Sequence, residues 1–319
     1  MFNLRFNSEQ ILLKMISVKN ITKKFPSTTA LDNISLEIRE KEFFGLLGPN
    51  GAGKSTLMNL LIGYLDADAG EILIDGKTMS INSLNLKKKI GLVPQSIALY
   101  EEISAKENLE IFGSFFGIDK KDLRYVIADK LKMVGLFERK KDKVKSFSGG
   151  MKRRLNLAAS LLHNPEIILC DEPTVGIDPQ SRNAIFDYLQ SLNDEGKTIV
   201  YTTHYMEEAE RLCTRIAIID FGHIISVGTL DELLKELEYK QTISITKNPV
   251  TEKSVSLFKL YGTLIDEQDK YELQPADGII LSDFFRKIEE NGISYSFINF
   301  RKPTLEALFL HLTGRSLRD

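Results

Sequence analysis

An α/β fold, a mostly parallel sheet flanked by helices, is predicted by three stretches in which a short apolar run ends in polar, chemistry-bearing residues. In the first, Glu42-Phe43-Phe44-Gly45-Leu46-Leu47 reads as a strand and Leu57 to Ile62 as a helix. Gly48-Pro49-Asn50-Gly51-Ala52-Gly53-Lys54-Ser55-Thr56 lies between them. In the second, Ile167-Ile168-Leu169-Cys170 ends in Asp171-Glu172. In the third, Lys197 to Tyr201 leads into Thr202-Thr203-His204. Buried parallel strands read as continuous apolar runs, and an open α/β sheet binds its ligands beyond the carboxyl ends of its strands.

The loop from Gly48 to Thr56 fits G-x-x-x-x-G-K-[ST] in the strand–loop–helix context the motif requires. Its glycines let backbone N–H groups close around phosphates. Lys54 brings a point charge to the β- and γ-phosphates, and the Ser55 hydroxyl is a ligand for Mg²⁺. A Gly-rich turn before an ordinary helix is the bland alternative, and Asp171 downstream argues against it. Ser148-Gly149-Gly150 precedes a helix-forming run with Leu155, Ala158, Ala159 and Leu162 on one face, a second helix start suited to an anion. Pro165 is expected to stop that helix.

Composition bounds the rest. The 319 residues suffice for one large or two modest domains, and 43% hydrophobic content supplies a sizeable core. A net charge of -2, from 42 basic and 44 acidic residues, gives no case for bulk nucleic-acid binding. Cys170 and Cys213, the only cysteines, read as reduced core residues, with a cytosolic compartment as the default. No uncharged apolar stretch approaches the roughly 20 residues of a spanning helix.

In chain order, residues 1–14 read as a leader, disordered or ahead of the true start, before a strand beginning near Met15. Ile16 to Phe25 and Ala30 to Ile38 read as strands around a Pro26-to-Thr29 loop, and Gly70 to Gly76 as a hairpin. Ile90 to Gln95 is a strand with a carboxamide at its end. Helical periodicity with turns at Gly117 and Gly135 fills Ser104 to Phe147. The basic runs Glu138 to Lys143 and Lys152-Arg153-Arg154 read as solvated helix surface. Arg215 to Asp220 and His223 to Val227 form a hairpin across Phe221-Gly222, and Leu230 to Leu237 a helix. Asp220-Phe221-Gly222 mimics a kinase motif, but the chain has no H-R-D loop.

Together these motifs resemble the nucleotide-binding subunit of an ABC transporter, from about Ile16 to about Leu234, with six motifs in the family's order. The fold implied is a P-loop NTPase core with an antiparallel β edge sheet and an α-helical signature subdomain at about 96–164, within a nucleotide-binding domain at 15–238. Phe25 matches the aromatic that stacks on adenine, a packed strand residue being the alternative. Gln95 matches the Q-loop, with a solvated loop glutamine as the alternative. Ser148, Gly149 and Gly150 match the signature, with Phe147 in place of the usual leucine. Asp171 and Glu172 match the Walker B aspartate and catalytic glutamate, and Val175-Gly176-Ile177-Asp178 the D-loop. His204 matches the switch histidine, although a histidine there can also simply cap the next helix.

The resemblance implies ATP hydrolysis with ATP and Mg²⁺. Gly48, Pro49, Asn50, Gly51, Ala52, Gly53, Lys54, Ser55 and Thr56 would hold the phosphates, and Ser55, Gln95 and Asp171 the metal. Glu172 would be the general base, oriented by His204. Ser148 to Gly150 and Asp178 would serve the nucleotide of a second subunit, so the chain would work as a homodimer or paired with a related subunit. A separate permease would place it at the cytoplasmic face of the membrane.

Residues 239–319 read as an accessory α+β domain in the order β-α-β-β-α-β, compatible with a ferredoxin-like unit. The expected elements are strands at Thr242 to Ile245, Gly262 to Ile265, Lys270 to Leu273 and Ile293 to Phe300, with helices at Ser254 to Tyr261 and Ile280 to Glu290. A helix from Thr304 to Leu312 closes the unit. The ending from Pro303 to Arg315 resembles the C-terminal extension of drug-resistance and antibiotic-export ATPases, which implies export. A soluble ABC-type ATPase acting on ribosomes or nucleic acid is the competing reading. A single motif set without a coiled-coil insertion argues against it. A small-molecule P-loop kinase would leave the signature, D-loop and His204 unexplained.

Overall fold

The computed structural model of the chain describes residues 14–237, 242–276, 278–301 and 303–314. The leader expected over 1–14 lies outside them except for Lys14, which opens the first strand. The chain forms two compact units divided after Leu230, whereas the sequence reading set the boundary after residue 238.

The first unit begins with β1 (Lys14–Phe25), β2 (Thr28–Arg39) and β3 (Phe43–Leu47), then α1 (Lys54–Leu61). There follow β4 (Ala69–Ile74), β5 (Lys77–Thr78), α2 (Leu84–Lys87) and β6 (Ile90–Val93). The helical region holds α3 (Ala105–Phe115), α4 (Lys120–Met133) and α5 (Gly149–Ser160). The unit closes with β7 (Ile167–Asp171), α6 (Pro179–Asp194), β8 (Thr198–Thr203), α7 (Met206–Leu212), β9 (Arg215–Asp220) and β10 (His223–Gly228).

A six-stranded sheet in the order β10-β9-β3-β8-β7-β6 forms the centre. β3 runs parallel to β8 and β9, and β7 parallel to β8 and β6; only β10 is antiparallel. β3 and β8 are buried at every residue, as strands covered on both faces must be. Successive side chains of β3 enter different cores. Phe43 joins Tyr201, Cys170, Leu155 and Leu189, while Phe44 and Leu46 join Leu57, Leu61, Leu169 and Val200. An antiparallel edge sheet, in the order β2-β1-β4-β5, covers the second core with Ile16, Val18 and Ile38. Because β3, β7 and β8 are parallel neighbours, their carboxyl ends lie side by side. That register brings Asp171 beside Thr202, and Leu47 beside Thr203.

Several local expectations are corrected. Thr28 and Thr29, expected in a loop, belong to β2. α5 ends at Ser160, well before Pro165. Asn164 sits at φ 51, outside the helical region that a following proline disfavours, and Leu162 is buried beyond the helix end. Lys152-Arg153-Arg154 is not a solvated face. Arg153 is buried, Arg154 donates to the Val134 carbonyl at 2.7 Å, and Lys152 pairs with Glu101 at 2.6 Å.

The second unit opens with α8 (Leu230–Leu234), which straddles the division, and β11 (Thr242–Thr246). It continues with α9 (Pro249–Lys253), α10 (Val255–Phe258), β12 (Gly262–Asp266), β13 (Lys270–Pro275), α11 (Leu281–Glu290), β14 (Ile298–Arg301) and α12 (Leu305–Thr313). The sheet order is β12-β13-β11-β14, antiparallel throughout. The helix expected over Ser254 to Tyr261 is instead a pair broken at Ser254, the first capped by Asn248. The strand expected from Ile293 begins only at Ile298. Tyr295 to Phe297 make a 3₁₀ turn whose start is held by the Ser294 hydroxyl. Phe284, fully buried, packs among Ile243, Ile245, Leu273 and Ile288. Phe284→Ala is expected to cost about 3–5 kcal/mol in this unit. Faster amide exchange in β11 and β13 would report it, and unchanged protection there would contradict the assigned core.

Candidate nucleotide-binding site

Gly48 to Gly53 link the end of β3 to α1, and two glycines fix the path. A side chain at Gly48 would meet the Ile219 carbonyl at 2.2 Å. Gly53, at φ 108, would put one 2.6 Å from the Ala30 carbonyl. α1 begins at Lys54 without a side-chain cap, so its first N–H groups face the loop. A helix N-terminus of this kind suits phosphate. The Lys54 ammonium is buried and donates to the Gly48 and Pro49 carbonyls at 2.8 and 3.0 Å, which curls the loop around it.

The same ammonium pairs with the Glu172 carboxylate at 2.9 Å, both side chains being about 95% buried. Glu172 follows β7 with φ 44, a left-handed geometry that costs a non-glycine residue about 1–3 kcal/mol. The kink turns its carboxylate off the strand line. Its backbone N–H donates to Thr202 Oγ1 at 3.0 Å, and that hydroxyl donates to Asp171 Oδ1 at 2.7 Å. Glu172 Oε2 lies 3.2 Å from His204 Nδ1 and accepts from Gln95 Nε2 at 3.4 Å. Thus Lys54, Gln95 and His204, far apart in sequence, converge on the Glu172 carboxylate.

A cleft of about 250 Å³ opens here, lined by Thr28, Ala30, Asn50, Gly51, Gly53, Lys54, Ser55, Thr56, Gln95 and Glu172. Phe25, 43% exposed, pairs with Thr28 across the β1–β2 turn at its edge. Pro49 and Ala52 close the loop through an Ala52 N–H to Pro49 carbonyl bond of 3.2 Å. Ser55, Gln95 and Asp171 offer a hydroxyl, a carboxamide and a carboxylate, an all-oxygen donor set that suits Mg²⁺.

The signature residues do not line this cleft. Ser148 caps α5, its hydroxyl accepting from the Met151 N–H at 3.3 Å. Gly149 has open space where a Cβ would stand, while Gly150 packs against Ser181 and the Asp178 carboxylate. Asp178 caps α6, accepting from the Ser181 N–H at 2.8 Å, and that bond holds its carboxyl below the usual range.

The contacts of four side chains around the site escaped the sequence reading. Arg153, on α5, donates to the carbonyls of Pro94 and Gln95, and so ties the signature helix to the glutamine loop. Asn156 adds a second tie by accepting from the Ala98 N–H at 3.2 Å. Thr202 bridges the Asp171 carboxylate to the Glu172 N–H, and Glu208 is a buried carboxylate that accepts from the hydroxyl of Thr203, next to His204. The signal for Arg153 was its position, three residues after Gly150, on the helix face that turns inward.

Fold and site together define a P-loop NTPase with an antiparallel edge sheet and a helical region carrying a second glycine motif. The chain belongs to the ABC transporter ATP-binding proteins; the family described as ABC transporter matches residues 31–175. The linearmycin resistance ATP-binding protein of Bacillus subtilis (strain 168) is 41% identical over 96% of this chain and 100% of its own length. A daunorubicin resistance ATP-binding protein of Streptomyces coeruleorubidus is 36% identical over 95% of this chain and 97% of its own. Among solved structures, a dimeric ATP-binding cassette in a post-hydrolysis state, bound to ADP and Pi, is 32% identical with a TM-score of 0.62. It covers 68% of this chain and 99% of that one.

Thr202→Val removes the hydroxyl that serves both Asp171 and the Glu172 N–H. The expected loss is about 1–3 kcal/mol of stability, read as a lower denaturant midpoint. An unchanged midpoint would mean that both groups find other partners.

Proposed function

We propose that this chain is the ATP-binding and ATP-hydrolysing subunit that powers an ABC-type exporter, working as a nucleotide-sandwich dimer with a separate permease. The observation that carries the reading is the meeting of Lys54, Gln95 and His204 on the Glu172 carboxylate beside the phosphate loop. Export as the direction is supported by the likeness to a Nod factor export ATP-binding protein of Rhizobium sp. (strain N33), 36% identical over 95% of this chain and 98% of its own length.

Phe25 stacks on the base, and the loop N–H groups with Lys54 take up the phosphate charge. Ser55, Gln95 and Asp171 would hold Mg²⁺, which when bound supplies further charge neutralisation at the phosphate oxygens. As the phosphates draw Lys54, its pairing with Glu172 is exchanged for a pairing with phosphate. The Glu172 carboxylate then polarises the attacking water as general base, with His204 and Gln95 setting its orientation. Ser148, Gly149 and Gly150 cap the nucleotide of a second copy, a role that fits their place outside the lining of the chain's own cleft. Among the described residues no helix is long and apolar enough to cross a membrane. The permease would supply the span and hold this chain at the cytoplasmic face. Residues 239–319 form a ferredoxin-like accessory domain in this reading.

Glu172→Gln keeps the shape of the site and removes the base. ATP binding is expected to persist while turnover falls by about 10²-fold or more and an ATP-bound dimer accumulates. Light scattering and phosphate release measure both, and near-normal turnover would remove Glu172 from this role. Affinity capture of the full chain from detergent-solubilised membranes should recover a polytopic membrane protein. Recovery with ribosomal or DNA-bound partners instead would favour the soluble ATPase reading.

A further inference from the structure

Glu208, on α7, is a buried carboxylate that the reaction scheme does not use. Its Oε1 accepts from Thr174 Oγ1 at 2.8 Å, and its Oε2 from Thr203 Oγ1 at 2.8 Å and Tyr201 OH at 2.9 Å. Burial in the first place, and Glu208 in the second, push the Tyr201 phenol well above its ordinary range, so it remains a donor. Among the described residues the nearest cationic atom is Arg182 Nε at 3.8 Å, on α6, with its guanidinium over the Tyr205 ring. A buried charge with three hydroxyl donors is dear to build for packing alone, since a hydrophobic side chain of similar volume would fill the space at no desolvation cost.

The donors identify what it holds. Thr174 stands two residues after Glu172, on the segment leading to Asp178. Thr203 immediately precedes His204, and its hydroxyl also accepts from the Tyr205 N–H at 2.9 Å. The His204 and Tyr205 rings lie 4.1 Å apart. One carboxylate therefore pins the segment after the base to the segment that carries the histidine. We propose that Glu208 is a positioning residue for hydrolysis, fixing Glu172 and His204 relative to one another while leaving nucleotide binding to the phosphate loop. The proposal rests on the ATPase reading of the site.

The test is steady-state ATP hydrolysis by the full chain, with nucleotide affinity measured separately using a fluorescent ATP analogue. Glu208→Ala should lower kcat by about 10²-fold with KM and analogue affinity within about twofold, the pattern of lost alignment and not of lost binding. Glu208→Gln keeps the shape and one acceptor oxygen and should recover about tenfold of that loss. Thr203→Val should lower kcat on its own and add little in the Glu208→Ala background, because the two act through one network. Should Glu208→Ala fail to fold, Thr203→Val and Glu208→Gln carry the same comparison. Folded variants with wild-type kcat, or with kcat and affinity lost in proportion, overturn the proposal. A wild-type chain that binds ATP and never hydrolyses it overturns the ATPase reading and this inference together.

Discussion

The buried ion pair between Lys54 and Glu172 is the constraint on which the site depends. Two charges taken out of water cost several kcal/mol each unless they meet each other and further hydrogen-bond partners. Here Lys54 has two loop carbonyls besides Glu172, and Glu172 has Gln95 and His204 besides Lys54. The arrangement is satisfied, yet every partner is one that a phosphate group or a water molecule can replace. A site whose resting contacts and working contacts use the same atoms can exchange one set for the other without exposing an unpaired charge.

The parallel sheet makes that meeting geometrically necessary. β3 delivers the phosphate loop, β7 delivers Asp171 and Glu172, and β8 delivers Thr202, Thr203 and His204, all from the same edge. Thr202 spans β8 and β7 with one hydroxyl, which sets the Asp171 carboxylate and the Glu172 backbone N–H in fixed relation. The left-handed turn at Glu172 then aims its side chain at Lys54 rather than along the strand. The helical region is coupled to this edge through α5, whose Arg153 and Asn156 grip the segment that holds Gln95. A movement of the signature helix must therefore move Gln95, or break charge-assisted bonds in a buried setting.

The second unit follows a different logic. Its alternating strands and the Phe284 cluster build a core of their own, and among the described residues none that lines the cleft comes from this unit. Its local departures from expectation share one cause. Ser254, Ser294 and Asn248 offer side-chain hydrogen bonds to nearby backbone, which break an apolar run into shorter pieces than its periodicity suggests.

Much of the first unit was legible in the sequence because it is written in local terms. A glycine-rich loop between strand and helix, apolar runs ending in Asp171-Glu172 or in His204, and a helix start at Ser148-Gly149-Gly150 each depend on neighbours a few residues apart. What no stretch could state by itself was which residues meet. Arg153 read as a surface charge, because its partners, the Pro94 and Gln95 carbonyls, lie more than fifty residues upstream. Glu208 carried no signal in the sequence, because Thr174, Tyr201 and Thr203 surround it only in the folded chain. Local propensity and spacing determined the elements and the chemistry they carry. Burial of specific charges, which exists only once distant strands are in register, decided how those elements work as one site.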